Sequence, residues 1–390
     1  MKTTRRTSVL SNTAVWLGAS ISVAEIMAGA YIAPIGLQKG LLAIIIGHII
    51  GGILFYLCGR IGAESGRCSM NCVALSFGPQ GAGIFAGMNV LQLTVWTALM
   101  LHVSARTLTT ITSNMLPTWF WCVIIGAAVT AWVFAEDAEI GHINLVASSL
   151  LLILTFAMCY HVIQYQGVVE TTPQFEPLSF GSAIELSLAM PLAWIPLVAD
   201  YTRKAEHPHL NNIVSTLAYT LGSGWMYGIG LAAAVYCGHS DIIKMLMETG
   251  IIRLPLLIVV LATMTSTFLD ACSAGISAQT ISHRYSVRFL AIVVLIVATL
   301  LSLLLSLDPF DQFLYLIASV FTPMIAIMVT DYFVLGKRQT ERSIDLGTML
   351  LWAVGFVLYR LLMSTEIVIG YTLPLLVLLG LIRYVTQRIR

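Results

Sequence analysis

The stretch "ISVAEIMAGAYIAPIG", residues 21–36, decides how this chain is interpreted. It belongs to an apolar run at about 12–34, and roughly 20 apolar residues are enough for a helix to cross a bilayer. Glu25 lies inside this run, and Gly29 and Pro34 follow it. Proline removes a backbone donor and clashes with the preceding helical turn. We therefore expect a transmembrane helix that is broken just after Glu25.

The whole chain has the composition of an integral membrane protein. Of its 390 residues, 58% are hydrophobic and 10% are charged, whereas about 25% of the residues in a soluble domain are charged. The formal net charge is +1, which gives no indication of nucleic-acid binding. The sequence has no Walker loop, no Gly-x-Ser-x-Gly elbow and no His-Glu-x-x-His pair, so nothing indicates an ATPase or a hydrolase. We expect no enzyme activity, no cofactor and no obligate protein partner.

Twelve segments are predicted to cross the membrane as helices. They lie at about 12–34, 40–59, 82–105, 117–135, 143–165, 180–201, 211–237, 252–278, 287–307, 311–335, 346–363 and 366–385. With both termini in the cytoplasm, most lysines and arginines fall on the inner side, as the positive-inside rule requires. The connections are short. We therefore predict one all-α transmembrane domain over residues 1–390, in the inner (cytoplasmic) membrane.

A second span carries signs of interruption. The sixth, "ELSLAMPLAWIPLVADYTRK" (185–204), contains Pro191 and Pro196. Broken spans one and six are five spans apart, which is typical of a five-plus-five inverted repeat with the substrate bound at the breaks. The alternative is that proline is simply common in transmembrane helices. We place the two repeats at about 12–165 and 180–335, with two extra helices at about 346–385.

Glu25 is the strongest candidate for a functional residue. A charge at the bilayer centre costs at least about 2.5–3.5 kcal/mol on insertion scales, so an ionisable residue there is a functional candidate by default. The alternative is a glutamate that is hydrogen-bonded to a neighbouring helix for structure alone. We expect Glu25 to contact the substrate, with one proton on either its carboxyl or the substrate ring.

Two tryptophans and a glutamine are candidates for holding a flat ligand. Trp96 follows Gln92 by four residues on the third span, which places both on one helix face. An indole offers a stacking surface, and an amide offers both a donor and an acceptor. Trp194 lies between the two prolines of the sixth span. This set suits a small heteroaromatic ring, although each indole could equally pack against lipid or a neighbouring helix.

The eighth span is unusually polar. It contains "LATMTSTFLDACSAGIS" (261–277), where Thr263, Thr267 and Asp270 fall on one helix face. Hydroxyl and carboxylate oxygens suit a cation such as Na⁺, and unwound backbone carbonyls supply further ligands. The alternative is that the hydroxyls bond to carbonyls of their own helix. We expect a coupling-cation site here and no other metal site.

Several stretches together carry a resemblance to a known family. They are "GHIIGGILFYLCGRIGAESG" (47–66), "SFGPQG" (76–81), Trp96, "VADY" (198–201) and "TDYF" (330–333). In this order and spacing they resemble the nucleobase:cation symporter-1 family, and within it the CytX group of hydroxymethylpyrimidine transporters.

The resemblance implies a LeuT-like fold of two inverted five-helix repeats plus two extra helices. It also implies roles for matching residues. Trp96 falls on the ring-stacking tryptophan of the family. Gly18 and Ile21 fall where backbone carbonyls of the first span bind sodium, and Thr267 falls on a sodium-binding hydroxyl.

Two positions depart from the family pattern. Met264 replaces an asparagine that offers an oxygen to sodium, although Thr263 could compensate. Both Na⁺ and H⁺ therefore stay open as the coupling ion. Glu25 replaces a small polar residue, which argues against cytosine as the substrate.

These observations together predict a secondary active transporter that works by alternating access. We expect it to import a small aminopyrimidine, hydroxymethylpyrimidine, which is a thiamin precursor. Cytosine, another nucleobase, or allantoin or hydantoin are the alternative substrates. A channel would need a polar lining along several spans, and a membrane enzyme would need a second catalytic group near Glu25 or Asp270.

Overall fold

The computed structural model describes residues 6–135, most of 146–160, 177–244 except 242, 253–304, and 310–388 except 341. Its helices are α1 (Val9–Ser20), α2 (Val23–Ala30), α3 (Leu37–Ser65), α4 (Ser69–Phe77), α5 (Pro79–Ile111), α6 (Thr118–Ala135), α7 (Phe180–Thr202), α8 (Pro208–Cys237), α9 (Arg253–Ile281), α10 (Val287–Ser302), α11 (Phe310–Val329), α12 (Leu346–Leu362) and α13 (Thr372–Arg388). A π-helical turn, Thr330–Val334, continues α11.

Many of these helices have the length and apolarity of membrane spans. Among the described residues, α3, α5, α6, α7 and the segment Phe310–Val334 are long and apolar enough to cross a bilayer, and the bent pair α1–α2 adds a sixth. The helices α10 and α12 are apolar but shorter. The predicted fifth span, 143–165, is described only in part, and residues 149–157 within it are helical.

The first span is broken, but not at the predicted position. Helices α1 and α2 are separated by Ile21 and Ser22 and meet at an angle of 43°. Ser22 caps α2, because its hydroxyl accepts the backbone N–H of Glu25 at 3.4 Å. The break therefore precedes Glu25, and the predicted position after it was wrong.

Gly29, which suggested the wrong position, has a packing role instead. It lies inside α2, and a Cβ atom added there would come within 2.6 Å of the Cα of Tyr227 on α8. Real Cβ contacts are not this short. The glycine thus lets two helices approach closely while α2 stays regular.

The sixth span was predicted to be broken but, unlike the first, has no break, since α7 runs through Pro191 and Pro196 without interruption. Each proline removes only one backbone donor, and the helix around them is packed on nearly every side. A Cβ atom added at Gly51 on α3 would lie 2.7 Å from the Pro191 ring. Close packing against α3 holds α7 in helical form.

The short helix α4 was not predicted, because nine residues are too few to read as a span. It is docked on the C-terminal end of α7 by two hydrogen bonds. The backbone N–H of Ser69 donates to Asp200 at 3.0 Å, and the Ser69 hydroxyl accepts the N–H of Ala199 at 3.0 Å.

The helices form two packed groups. Helices α1, α2, α3, α7 and α8 pack on one another, and α5, α6, α9 and α10 form the second group. The second group has its own hydrophobic cluster, which includes Leu101, Cys122, Val129, Phe268 and Leu295. Helices α2 and α9 touch across the seam between the groups.

A buried carboxylate attaches the last two helices to α7. Glu185 on α7 accepts the backbone N–H groups of Tyr371 at 2.6 Å and Thr372 at 2.7 Å. It also accepts the hydroxyls of Thr372 at 2.7 Å and Tyr359 at 2.6 Å. The carboxylate lies at the N-terminus of α13, where the helix dipole favours a negative charge. Helices α12 and α13 are therefore fixed to the N-terminal half of α7.

Candidate functional site

A pocket opens at the seam between the two helix groups. It has about 410 Å³ of empty space, part of which is open to solvent. The break before α2, together with α5, α7 and α9, supplies its walls. The side chains that matter below are Ser22, Trp96, Met190, Trp194, Ser266 and Asp270.

The structure brings the two candidate tryptophans into this one pocket. Trp96 comes from α5 and Trp194 from α7, so the two helix groups each contribute an indole. Trp96 packs edge-to-face on Phe310 and Phe313 of α11, with ring centroids 5.6 and 5.3 Å apart. Trp194 packs edge-to-face on Trp16, with centroids 6.0 Å apart. These neighbours fix both indoles in position.

Asp270 brings a carboxylate to the pocket wall. The residue is 4% exposed, and within the described part of the chain its side chain forms no hydrogen bond and no ion pair. Ser266, one turn earlier on α9, also lines the pocket and donates its hydroxyl to the Ala262 carbonyl at 3.2 Å. Asp270 is therefore free to accept hydrogen bonds from a bound ligand.

Gln92 lies one turn before Trp96, just behind the pocket wall. Its Nε2 donates to Asn89 Oδ1 at 2.7 Å and to the carbonyl of Ala193, a pocket residue, at 3.0 Å. Both partners are acceptors, which fixes the orientation of the amide, since Asn89 Nδ2 donates to Ser277. The buried Oε1 of Gln92 has no partner in the described structure.

The cation candidates lie beside the pocket rather than in its wall. Gly18 and Ile21 are at the end of α1, where no backbone N–H of the described residues donates to their carbonyl oxygens. Thr263 and Thr267 are buried on α9, and Thr267 donates its hydroxyl to the Thr263 carbonyl at 2.8 Å. The broken helix thus leaves free carbonyls, and cation binding by these residues stays a prediction.

The structure does not bring Glu25 to the pocket wall. Its neighbours Ser22 and Ala24 line the pocket, whereas the Glu25 carboxylate faces α8. Tyr219 donates to Oε1 at 3.1 Å, and Ser223 donates to Oε2 at 2.7 Å. Contact between Glu25 and a substrate therefore stays a prediction.

Ser22 and Ser266 were missed from the sequence. Ser266 lies four residues before Asp270, so the helical spacing that selected the threonines would also have placed it on the face of Asp270. Ser22 gave no such signal, because the break was expected further along the chain.

Comparison with known proteins identifies the family. The profile of a family described as permeases for cytosine and purines, uracil, thiamine and allantoin matches residues 2–348. The chain belongs to the nucleobase:cation symporter-1 family. It is a multi-pass membrane transporter, not an enzyme, of a family that takes nucleobase-like substrates.

Individual relatives agree with this assignment to the nucleobase:cation symporter-1 family. Cytosine permease of Escherichia coli strain K12 is 24% identical over 344 residues, which cover 86% of this chain and 80% of that protein. Cytosine permease of Escherichia coli O157:H7 gives the same values.

Solved structures show the same fold. Mhp1, a nucleobase-cation-symport-1 family transporter with bromovinylhydantoin bound in a closed conformation, has a TM-score of 0.81 at 20% identity, over 98% of this chain and 94% of that chain. Mhp1 in an inward-facing conformation has a TM-score of 0.82 at 20% identity, over 98% and 91% of the two chains. A Na⁺-coupled sialic acid symporter has a TM-score of 0.67 at 13% identity, over 97% and 89%.

Proposed function

We propose that this protein imports a small aminopyrimidine, hydroxymethylpyrimidine (4-amino-5-hydroxymethyl-2-methylpyrimidine), by cation-coupled alternating access. The observation that carries the proposal is a pocket with two indoles on opposing helix groups and an unpartnered carboxylate, Asp270, beside them. A flat ring stacks on Trp96 and Trp194, and its amino group donates to Asp270. Transport of this substrate would place the protein in the CytX group of the family.

The hydrogen-bonding edge of the pyrimidine ring determines whether its contact with Asp270 needs a proton. A neutral 4-aminopyrimidine presents an N–H donor beside a ring-nitrogen acceptor, whereas an ionised carboxylate only accepts. A two-point contact with Asp270 therefore needs one proton, either on the carboxyl or on the ring.

The polar groups around the pocket favour this substrate over cytosine. Asp270 and the Oε1 of Gln92 offer acceptors, and the hydroxyl hydrogen of Ser266 is already donated within its own helix. Apart from the Ser22 hydroxyl, a carbonyl oxygen such as that of cytosine would find few donors among the described pocket residues. A ring with a methyl group in place of that carbonyl avoids the cost of an unpaired buried acceptor. Cytosine, other nucleobases, allantoin and hydantoin remain the alternatives.

The proposal includes the finer architecture. We place twelve spans in a LeuT-like five-plus-five inverted repeat, with two further helices, in one transmembrane domain. The protein lies in the inner (cytoplasmic) membrane with both termini in the cytoplasm. The bend between α1 and α2 supports this arrangement; the uninterrupted α7 means that the second repeat differs from the first in this respect.

A thermal-shift screen of the purified protein tests the substrate directly. Ligand that binds the native state raises apparent stability by mass action, by about 2.7 kcal/mol at a hundred times the Kd. Hydroxymethylpyrimidine should stabilise the protein more than cytosine, uracil, allantoin or hydantoin does. Stabilisation by one of these alternatives but not by hydroxymethylpyrimidine would assign the pocket to that compound instead.

Trp96→Ala should weaken substrate binding by about 5- to 150-fold, because base–aromatic stacking is worth about 1–3 kcal/mol. The same thermal-shift titration measures it. Trp119→Ala is the matched control, since Trp119 is 57% exposed on the outside of α6 and should leave the affinity unchanged. If the Trp96→Ala variant and the natural protein bind the substrate with equal affinity, Trp96 does not stack on the substrate ring.

The coupling ion is Na⁺ or H⁺, and one charge moving inward yields about 2.3 kcal/mol per 100 mV. If it is Na⁺, uptake should require external sodium and fall in Thr267→Ala. Thr265→Ala should have no such effect, because Thr265 donates to Ala262 and is not on the predicted ligand face. Sodium-independent uptake that a protonophore abolishes would favour H⁺. Radiolabelled uptake in sodium-free and sodium-containing buffer measures the difference.

A further inference from the structure

A chain of buried polar side chains joins Glu25 to α3 and α7, on the side of α2 that faces away from the pocket. Glu25 Oε2 is 2.7 Å from Ser223 Oγ, and Ser223 Oγ is 2.8 Å from His48 Nε2. His48 Nδ1 is 2.8 Å from Ser187 Oγ. The Ile44 carbonyl lies 3.1 Å from Nδ1 and 3.0 Å from Ser187 Oγ. Each of these four side chains is 3% exposed or less.

The carbonyl of Ile44 determines which atoms carry the hydrogens. This oxygen can only accept, so Ser187 donates to it, and His48 Nδ1 must then donate to Ser187. In a neutral imidazole Nε2 is then an acceptor, and it takes the single hydroxyl hydrogen of Ser223. With this tautomer Ser223 has no hydrogen left for Glu25, so the 2.7 Å contact is a hydrogen bond only when Glu25 is protonated and donates, the reverse of the direction with an ionised Glu25.

The hydrogen bonds between Glu25, Ser223, His48 and Ser187 can all be reversed, but the bond from Ser187 to the Ile44 carbonyl is then lost, because that oxygen only accepts. With Glu25 ionised, Ser223 donates to Glu25, His48 Nε2–H donates to Ser223, and Ser187 donates to Nδ1. A proton added at Nδ1 releases the Nε2 proton to Ser223, and Ser223 passes its own proton to Glu25 Oε2. One proton enters and one O–H bond forms on the carboxyl, so the two arrangements differ by one proton.

We propose that Glu25, Ser223 and His48 form a proton-binding relay within one helix group, and that Glu25 holds the transported proton outside the substrate pocket. The relay deepens the proposed function, on which it rests, by naming H⁺ as a coupling ion and giving it a site. Helices α2, α3 and α8 meet at this site, so protonation acts on the packing of the group that also carries Trp194.

Two tyrosines of α8 are in contact with the relay. Tyr219 donates to Glu25, and the Tyr227 ring lies edge-on to His48 with centroids 4.9 Å apart. Within the described residues neither Glu25 nor His48 takes part in an ion pair. Other titratable groups on the elements packed against α2 and α3 are Glu185, Asp200 and Tyr201 on α7, His209, Tyr236 and Cys237 on α8, Asp270 and Cys272 on α9, Cys68 and Cys72 at α4, and Asp311 and Tyr315 on α11.

Two hydroxyls that both bond to Glu25 provide a matched pair of variants. Ser223→Ala removes the hydroxyl that connects Glu25 to His48, whereas Tyr219→Phe removes a hydroxyl that contacts Glu25 and Ser223 but does not connect them to His48. Phenylalanine also keeps the stacking of residue 219 on Phe55, whose ring centroid is 5.2 Å away.

The transport experiment uses the full chain in proteoliposomes that contain a pH-sensitive dye. Entry of hydroxymethylpyrimidine should bring in protons with the natural protein and with Tyr219→Phe, but not with Ser223→Ala. Substrate exchange between equal concentrations, which needs no net proton movement, should persist in all three. Equal loss of proton entry in both variants, or proton entry unchanged in Ser223→Ala, would overturn the relay.

Infrared spectroscopy provides a test that needs no substrate. The natural protein should show a carbonyl-stretching band of a protonated carboxylic acid that is missing in Glu25→Gln and shifted in Ser223→Ala. A spectrum whose acid bands all persist in Glu25→Gln at every pH would overturn the relay. Absence of any pyrimidine exchange would instead overturn the proposed function, while the infrared result would still decide whether Glu25 binds a proton.

Discussion

Glu185→Ala should lower the free energy of unfolding by about 3 kcal/mol or more, because it leaves several buried hydrogen-bond donors without an acceptor. Each unpaired buried donor costs about 1–3 kcal/mol. The donors are the backbone N–H groups of Tyr371 and Thr372 and the hydroxyls of Thr372 and Tyr359. Alanine also removes the negative charge at the N-terminus of α13. The measurement is the unfolding temperature of the purified protein in detergent, together with the yield of monodisperse protein.

Two variants calibrate this result. Tyr359→Phe removes one of the donors together with its hydrogen bond and should cost only about 1 kcal/mol. Glu366→Ala, at an exposed position in the same connection between α12 and α13, should leave the unfolding temperature unchanged. If Glu185→Ala unfolds at the temperature of Glu366→Ala, the carboxylate does not hold these helices.

Asp270→Ala should weaken binding of hydroxymethylpyrimidine by about 10- to 150-fold, since a hydrogen bond to a charged group is worth about 1.5–3 kcal/mol. Asp270→Asn should behave differently. Its amide offers an oxygen to the amino group and an N–H to the ring nitrogen, which is the pattern that a neutral aminopyrimidine requires. We therefore expect Asp270→Asn to keep most of the affinity. Titration by thermal shift or calorimetry measures both variants.

The pH dependence of the same titrations supplies a control. In the natural protein the two-point contact needs one proton, so affinity should fall as pH rises and that proton is lost. In Asp270→Asn no proton is needed, and affinity should stay constant over the same pH range. Equal losses in the alanine and asparagine variants would show that Asp270 does not form the two-point contact.

Helical spacing and hydrophobicity predicted most of the described helices and several residues that line the candidate pocket. Trp96, Trp194 and Asp270 were each selected separately from three different spans, and the structure places them in one pocket. Their chemistry was visible because a carboxylate or an indole inside an apolar run is unusual on its own. Long apolar segments such as α3 and α5 were also apparent from the sequence alone.

The position of the helix breaks could not be predicted, because glycine and proline have several roles in a membrane helix. Gly29 serves close packing against Tyr227, and Pro191 sits in an uninterrupted helix against α3. Whether such a residue breaks a helix depends on what packs beside it. That information is distributed over residues far away in the chain.

Long-range pairing of charges was missed for the same reason. Lys337, close to Asp331 in the sequence, lies 3.6 Å from its carboxylate, but the main partner of Asp331 is the distant Arg383, which binds both carboxylate oxygens at 2.7 and 2.9 Å. Glu185 was not selected at all, although it lies inside a predicted span just as Glu25 does. The rule that draws attention to an intramembrane carboxylate applies equally to both.

The two helix groups meet only lightly where α2 touches α9, and the pocket lies between them with an indole on each side. A bound ring would therefore contact Trp96 on one group and Trp194 on the other at once. The cargo itself then contributes cohesion between the two groups, and an empty pocket leaves them held together more weakly. Occupied and empty protein should differ in how easily the groups separate, even where no residue of the chain changes its bonds.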